Sequence, residues 1–493
     1  MGLHAQSAAK LEMAQTISAP DGSQTRLEQK LSDISSALAE TEKQLEDSQQ
    51  QVHRLQSELL EIQRQLAANK LASGASSSSD AVVAAPPEVA DLAERQEVLE
   101  AQVKLHDQVK VESVSKYPVR LKGLILFNAF LNAGVVDNVD LPEIALPVVY
   151  GITNRSAGAG LRQTILGIEG SGPKIWGAQT SAEVSLDFFA GLAYSNYGTS
   201  AGVVRMRTAS INFDWPASKV KAGLVTPLIS PLSPTSYATV AAPGMAGAGN
   251  LWTWAPQLSV EHKTSVAGGG NVRFQLGLWD PPAAGYSTNG IYRAPSPGEH
   301  SFEPAYEGRV SYGSGKEGGG LQVGVGGYYG RQSYPGEKTV DSWAATADWR
   351  LPIHSWFELS GEAYRGKSLG GLGGGVYKDV LTGTDPITGA SVLRGLNTAG
   401  GWTQLKTRFK QTFEMNAAIG QDSGFASDFH TLILDPANVT LLRARNRMVV
   451  GNLIYSPKTY LILSPEFRRI WSWPITGPGT SANVFTFTFG YQF

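Results

Sequence analysis

Phe485-Thr486-Phe487-Thr488-Phe489-Gly490-Tyr491-Gln492-Phe493 alternates without a break between an aromatic residue and a small or polar one. Successive strand side chains point to opposite faces, so this strand has one wholly aromatic face and one polar face. A strand placed between lipid and water needs that division. A core strand of a soluble sandwich can alternate in the same way, but it seldom ends a chain on Phe.

Working back from this strand, period-two segments recur near 120–133, 161–172, 176–191, 203–214, 218–226, 256–264, 271–280, 304–314, 320–332, 340–351, 355–367, 400–410, 412–422, 443–456, 459–473 and 482–493. Val272, Phe274, Leu276 and Leu278 make one outward set, with Arg273, Gln275 and Gly277 facing in. Phe413, Met415, Ala417 and Ile419 make another, opposite Glu414, Asn416 and Ala418. The connectors are expected to alternate strictly between short and long, with the longest at 134–160, 227–255, 281–303 and 368–399. The fold class predicted is an all-β transmembrane barrel of about sixteen antiparallel strands, its short turns and both of its ends on one side. Trp343, Trp349, Trp471, Trp473, Tyr329 and Tyr491 fall near strand ends, where an aromatic girdle would lie.

Composition agrees. Charged residues are 17% of the chain, below the soluble norm of about a quarter, while hydrophobic residues stop at 42% and Gly numbers 55. No run of about 20 apolar residues exists to make a spanning helix. A net charge of −2 gives no reason to expect a nucleic-acid partner, and the absence of Cys excludes disulfides and thiolate metal sites.

The residues before 117 have a different texture. A flexible tail is expected over 1–25, where Leu3-His4-Ala5 before Gln6 loosely resembles the end of an export cleavage site. Over 26–70 there is no Gly or Pro, and Leu31, Leu38, Leu45, Val52, Leu59 and Leu66 fall at a single heptad position. Leu27, Ile34, Leu55 and Ile62 fall at its partner position, with Thr41 and Ser48 softening the middle, so a coiled coil is expected. Leu at a with Ile at d favours trimers or tetramers over dimers. A single amphipathic helix lying on a partner surface is the alternative. A Ser/Ala/Pro linker follows over 71–87, then a short helix or neck over 88–116 carrying Val89, Leu92, Leu99 and Val103, and the barrel over 117–493.

The chain resembles the trimeric outer-membrane diffusion porins, and more closely the DcaP-like porins. The resemblance runs through Leu161-Arg162, Gly167-Ile168-Glu169-Gly170, Glu183-Val184-Ser185-Leu186-Asp187-Phe188, Ala222-Gly223-Leu224, Pro231-Leu232-Ser233-Pro234-Thr235-Ser236 and the closing Phe-rich strand. It implies passive diffusion of small hydrophilic solutes through a water-filled lumen, a homotrimer, and a periplasmic coiled coil below the outer membrane. It also implies contact with membrane lipid and lipopolysaccharide, and recognition by the barrel-assembly machinery. Phe485, Phe487, Phe489, Tyr491 and Phe493 resemble the assembly signal of such barrels. One departure stands out: classical porins carry acids on a third loop folded into the lumen, opposite a basic wall, whereas Pro227–Ala255 holds no charged residue. Charge selectivity is then left to the wall. The competing reading is structural: an outer-membrane anchor whose coiled coil spans toward the cell wall.

Charges that alternate along strands cannot face the middle of a bilayer, where each costs about 2–4 kcal/mol. Arg205 with Arg207, Lys219 with Lys221, Arg273, Lys406 with Arg408, and the ladder Arg443, Arg445, Arg447 are therefore expected to line the pore, with Glu261, Glu358 and Glu362 among the opposing acids. Such sets either brace the wall as salt bridges or steer anionic solutes. Gly361-Glu362-Ala363-Tyr364-Arg365-Gly366-Lys367-Ser368 matches a phosphate-binding loop letter for letter, but the Gly-rich run behind it cannot start the required helix. The seven His are scattered without metal spacing, and no catalytic constellation, metal site or cofactor is expected.

Overall fold

An alternating strand with one apolar face must pair on both edges and bury neither face in protein alone, and a closed barrel meets that demand. The computed structural model describes residues 117–148, 150–151, 153–192, 202–266, 269–283, 294–314, 320–409, 412–434 and 443–493. The coiled coil, linker and neck expected over 26–116 lie outside the described residues, as does the tail.

The barrel has sixteen antiparallel strands. They are β1 Val119–Ala133, β2 in two pieces (Arg155–Gly160 and Ile165–Ile175), β3 Ala178–Asp187, β4 Arg205–Asp214, β5 Ser218–Val225, β6 Ala255–Val266, β7 Gly270–Trp279 and β8 Ala305–Ser314. Then come β9 Leu321–Tyr334, β10 Lys338–His354, β11 Phe357–Lys367, β12 Asn397–Phe409, β13 Phe413–Gly424, β14 Arg443–Lys458, β15 Leu461–Pro474 and β16 Thr480–Gln492. Each pairs with its neighbour in sequence, and β1 closes the ring on β16 in a register running from Leu124↔Gln492 to Ala133↔Asn483. An even count leaves both barrel ends on the side of the short turns.

Two expectations are corrected. The second strand starts at Arg155, before 161, and is interrupted at 161–164, where Gln163 turns into the lumen to bind loop backbone. The connectors do not alternate strictly, because β9 and β10 run 14 and 17 residues and meet in a tight external turn at 335–337. The phosphate-loop look-alike is strand through Lys367 and cannot present its backbone to a phosphate.

Facing follows the closing strand. Phe485, Phe487, Phe489 and Tyr491 are outward and half-exposed, while Thr486 and Thr488 are buried inside. Tyr329, Trp343, Trp471 and Trp473 are outward near the ends that carry the long loops, and Tyr491 is outward at the end with the short turns. Phe493 hydrogen-bonds in both directions to Gly123 of β1, and its ring lies where a Cβ at Gly123 would stand. The last aromatic residue thus caps the seam at which the ring closes.

Phe493→Ala and Gly123→Val should each lower the amount of barrel in the outer membrane, the first by removing the ring and the second by displacing it. Heat-modifiable gel mobility of membrane fractions measures this. Normal yield with altered conductance would invert the facing assignment.

Candidate functional site

The lumen is organised by one segment, the third external loop (L3), which joins β5 to β6 over residues 226–254. With no charge of its own and a backbone full of polar groups, it can enter the barrel only if the wall supplies partners. It does so around most of the ring. Glu307 of β8 accepts from the Leu228 and Ile229 amides (2.9 and 3.2 Å). Glu362 of β11 accepts from the Leu232 amide at 2.7 Å and from Ser230 Oγ at 2.5 Å. Gln404 of β12 accepts from the Thr235 amide at 2.7 Å, and Asn452 of β14 donates to the Thr235 carbonyl at 2.8 Å. Ser236 Oγ donates to Glu466 of β15 at 2.5 Å.

The loop then reaches β2, where Gln163 donates to the Ala238 carbonyl at 2.9 Å and accepts from the Val240 amide at 2.7 Å. On β4, Arg205 donates to the Ala241 carbonyl and Arg207 to the Val240 carbonyl, both at 2.7 Å. A buried donor or acceptor left without its partner costs about 1–3 kcal/mol, so these contacts together hold L3 against the wall. Apolar contacts complete the seat: Leu232, Met245 and Ala248 pack on Trp402, Met448, Val450 and Ile470. At Gly420 a Cβ would strike the Ala248 carbonyl, so the wall lacks one where the loop backbone touches it.

Two further loops fold in above L3. Loop 1, between β1 and β2, sends Asn132 and Arg468 partners through Val139 and Pro142, and the Ala145 amide donates to Ser472 at 2.9 Å. Loop 6, between β11 and β12, donates the Gly375 and Val376 amides to Asp422 of β13 (3.2 and 3.0 Å). The loops meet where Tyr377 donates to Glu143 at 2.5 Å and where the Trp252 amide donates to the Leu372 carbonyl at 2.9 Å.

The sequence-predicted residues divide by these contacts. Arg205 and Arg207 face inward, but both are paired with buried Asp187 (2.7 and 3.2 Å) and stack over Trp254, so they serve the loop. Glu362 is likewise committed to it. Lys219, Lys221, Arg273 and Glu261 come together with Lys263 and Asp214 in a cavity of about 590 Å³ edged by Pro227, Leu228 and Pro231 of L3. Within it, Lys219 pairs with Asp214 at 2.9 Å and Arg273 with Glu261 at 3.2 Å. Farther round, Lys406 and Arg408 pair with Glu414 (3.3 and 3.2 Å), and Arg408 also approaches Glu358 at 3.7 Å.

The ladder on β14 is a correction. Arg443 is buried inside, but the register shifts between Arg443 and Arg445. Arg445 and Arg447 leave the wall on its outer face, where Arg445 stacks at 4.0 Å on Trp473 and Arg447 donates to Gln421 at 2.8 and 2.6 Å. The inward positions of this strand are Asn446, Met448, Val450, Asn452 and Ile454, and L3 and loop 1 cover the first four. Sequence reading missed Gln163, Glu307, Asn446, Asn452 and Glu466 as loop anchors. It also missed the buried Arg309–Asp348 wall pair at 2.7 Å. Their one signal is a lone polar residue at inward parity, which does not say what it binds.

Burial pushes the Glu143 carboxyl up to about 7, partly offset by the Tyr377 hydrogen bond; Asp137 on its own loop raises it slightly and Arg468 of β15 opposes that. An acid whose folded value is raised favours docking fully below its ordinary value of 4.5, and that contribution is lost as pH rises through 7. Amide exchange over 140–146 should therefore quicken, beyond its intrinsic pH dependence, between about pH 6 and 8. Glu143→Gln, neutral throughout, should remove that step; a step that persists assigns it to another group.

No family model matches the chain, and no curated protein matches it in sequence. Solved structures do match in shape. The outer membrane channel DcaP of Acinetobacter baumannii is 14% identical, with a TM-score of 0.55 over 77% of this chain and 99% of that one. The anion-selective porin from Comamonas acidovorans is 12% identical, with a TM-score of 0.46 over 77% and 100%. OprB of Pseudomonas putida is 12% identical, with a TM-score of 0.44 over 80% and 96%. The closed sixteen-strand barrel of this chain has the fold of the outer-membrane porins.

Proposed function

We propose that the chain is an outer-membrane porin through which small hydrophilic solutes diffuse passively, with a mild preference for anions. The observation that carries the preference is the cavity beside L3. Lys219, Lys221, Lys263 and Arg273 gather in it with Asp214 and Glu261, and Glu183 approaches Lys221 at 3.7 Å, next to a loop without charge. The second cluster adds Lys406 and Arg408, and the Arg408 guanidinium is more exposed than either of its acids, Glu358 and Glu414. Salt bridges reduce the field of both clusters, and in the first the four cations outnumber Asp214, Glu261 and Glu183. No reacting group is needed for this work, and the reading is of a channel that is not an enzyme.

The partners proposed are lipid and lipopolysaccharide around the wall, the assembly machinery at the Phe-rich strand, and two further copies of the chain. Trimerisation rests on the heptads of 26–70, which belong in the periplasm on this reading. The same heptads suit a spacer toward the cell wall, and a purified barrel that conducts no ions in a planar bilayer would favour that anchor role.

Reversal potentials across a salt gradient test the selectivity. The native channel should prefer anions most clearly in dilute salt, since charges are screened beyond roughly 8–10 Å at physiological ionic strength. Lys219→Gln with Lys221→Gln should shrink the preference by about half or more. A native cation preference, or no change in the double variant, would sink the assignment. Native mass measurement should give a trimer for the full chain, and a stable monomer would defeat that part of the proposal.

A further inference from the structure

The Gly-rich run behind the phosphate-loop look-alike, Leu369-Gly370-Gly371-Leu372-Gly373-Gly374-Gly375-Val376-Tyr377, is the part of loop 6 that enters the lumen, and its backbone is strained. Gly375 (φ 60°, ψ 28°), Val376 (φ 51°, ψ 55°) and Tyr377 (φ 64°) are three left-handed residues in a row. Glycine adopts that conformation freely. A Cβ is crowded there by the following carbonyl, and a β-branched residue such as Val376 suffers most.

The contacts that impose this conformation come from the wall and from three other loops. Asp422 of β13 accepts from the Gly375 and Val376 amides, and Thr398 of β12 accepts from the Gly375 amide at 3.1 Å. Tyr377 donates to Glu143 of loop 1, and its ring packs on Gly247 of L3, where a Cβ would stand 2.8 Å from it. The Leu372 carbonyl accepts from the Trp252 amide of L3. At Gly371 a Cβ would strike the Pro282–Ala283 backbone of loop 4, which joins β7 to β8. One short segment, with Leu372 and Val376 buried, therefore ties loops 1, 3 and 4 together above L3. The rest of loop 6 is different. Val380–Thr384 and Ser391–Gly395 form an outer hairpin with regular pairing, and its left-handed residue, Gly389 (φ 69°), is a glycine in open space.

We propose that the lumenal part of loop 6 is a spring-loaded lid. Docked, it narrows the mouth of the lumen. Released from Asp422 and Glu143, Gly375–Tyr377 return to ordinary backbone angles and the segment withdraws. Strain offsets part of the docking contacts, so both positions are populated. The lid rests on the diffusion reading for what it regulates, but not for its motion.

Single-channel recording of the full chain in a planar bilayer, with amide exchange of Val376 in detergent, tests it. The wild type should step between two conductance levels and occupy the lower one more. Tyr377→Phe keeps the ring and removes one latch hydrogen bond. It should raise the share of the higher level about tenfold, the change expected from about 1.4 kcal/mol. Gly375→Ala puts a Cβ at a left-handed position, 3.1 Å from Leu396, and should shift the levels the same way. Gly389→Ala makes the same change in the same loop with nothing within 4 Å, and should leave the levels alone. Exchange at Val376 should quicken in the first two variants in step with the higher level. Heat-modifiable gel mobility establishes that each variant is folded. A single unchanging level in the wild type and both lid variants would overturn the lid, as would an equal shift in Gly389→Ala. Faster exchange in Tyr377→Phe with no change in conductance would mean that the segment moves without guarding the mouth, and would also overturn it. A chain that conducts no ions but shows that pattern of exchange would leave the strained latch standing and remove the diffusion function instead.

Discussion

An uncharged loop cannot be buried inside a barrel unless its backbone amides and carbonyls are satisfied, and the architecture of the lumen follows from that constraint. L3 has no side-chain charge with which to hold itself, so the wall must reach it. Glu307, Glu362, Gln404, Asn452, Glu466, Gln163, Arg205 and Arg207 do so from different strands. Partners arranged around a ring cannot be released one at a time without leaving a buried donor or acceptor unmet. The contacts therefore hold the loop as a set.

This has a consequence for charge. Each carboxylate or guanidinium that holds loop backbone, or a partner that does, is lost to the solute path. Asp187 with Arg205 and Arg207 is such a group, and so is Glu362. On the proposed function, what remains for steering is what the loop leaves uncovered, chiefly the Lys219, Lys221, Lys263 and Arg273 cavity beside it. In a lumen whose third loop carried acids, the field would be set across the loop; the proposed selectivity sets it beside the loop instead.

The same covering decides what could be read from sequence. The barrel, its sixteen strands and the outward sets of β7, β13 and β16 were legible because lipid imposes a strict period of two on one face. The facing of β14 was not. Its reading assumed that apolar residues face lipid and charged residues face water, but L3 and loop 1 give Met448 and Val450 an apolar home inside. A register shift after Arg443 then places Arg445 and Arg447 on the other face. The break in β2 has a similar cause, since Gln163 leaves the strand pattern to serve L3. Contacts such as Glu362 with Leu232 join positions 130 apart, and local periodicity carries no signal of them.

The two faces of the wall satisfy arginine by different rules. Inside, where water and loop backbone compete, guanidinium groups are matched to carboxylates, as Arg309 is to Asp348 with both side chains almost fully buried. Outside, a carboxylate partner would bring a second charge toward lipid, and aromatic rings hold the cation without adding one. Arg445 on Trp473 and Arg469 on Trp471 follow the second rule, while Arg331 with Asp341 and Glu303 follows the first on the outer face. A paired guanidinium at that rim is electrically finished, whereas an aromatic-held one keeps its charge.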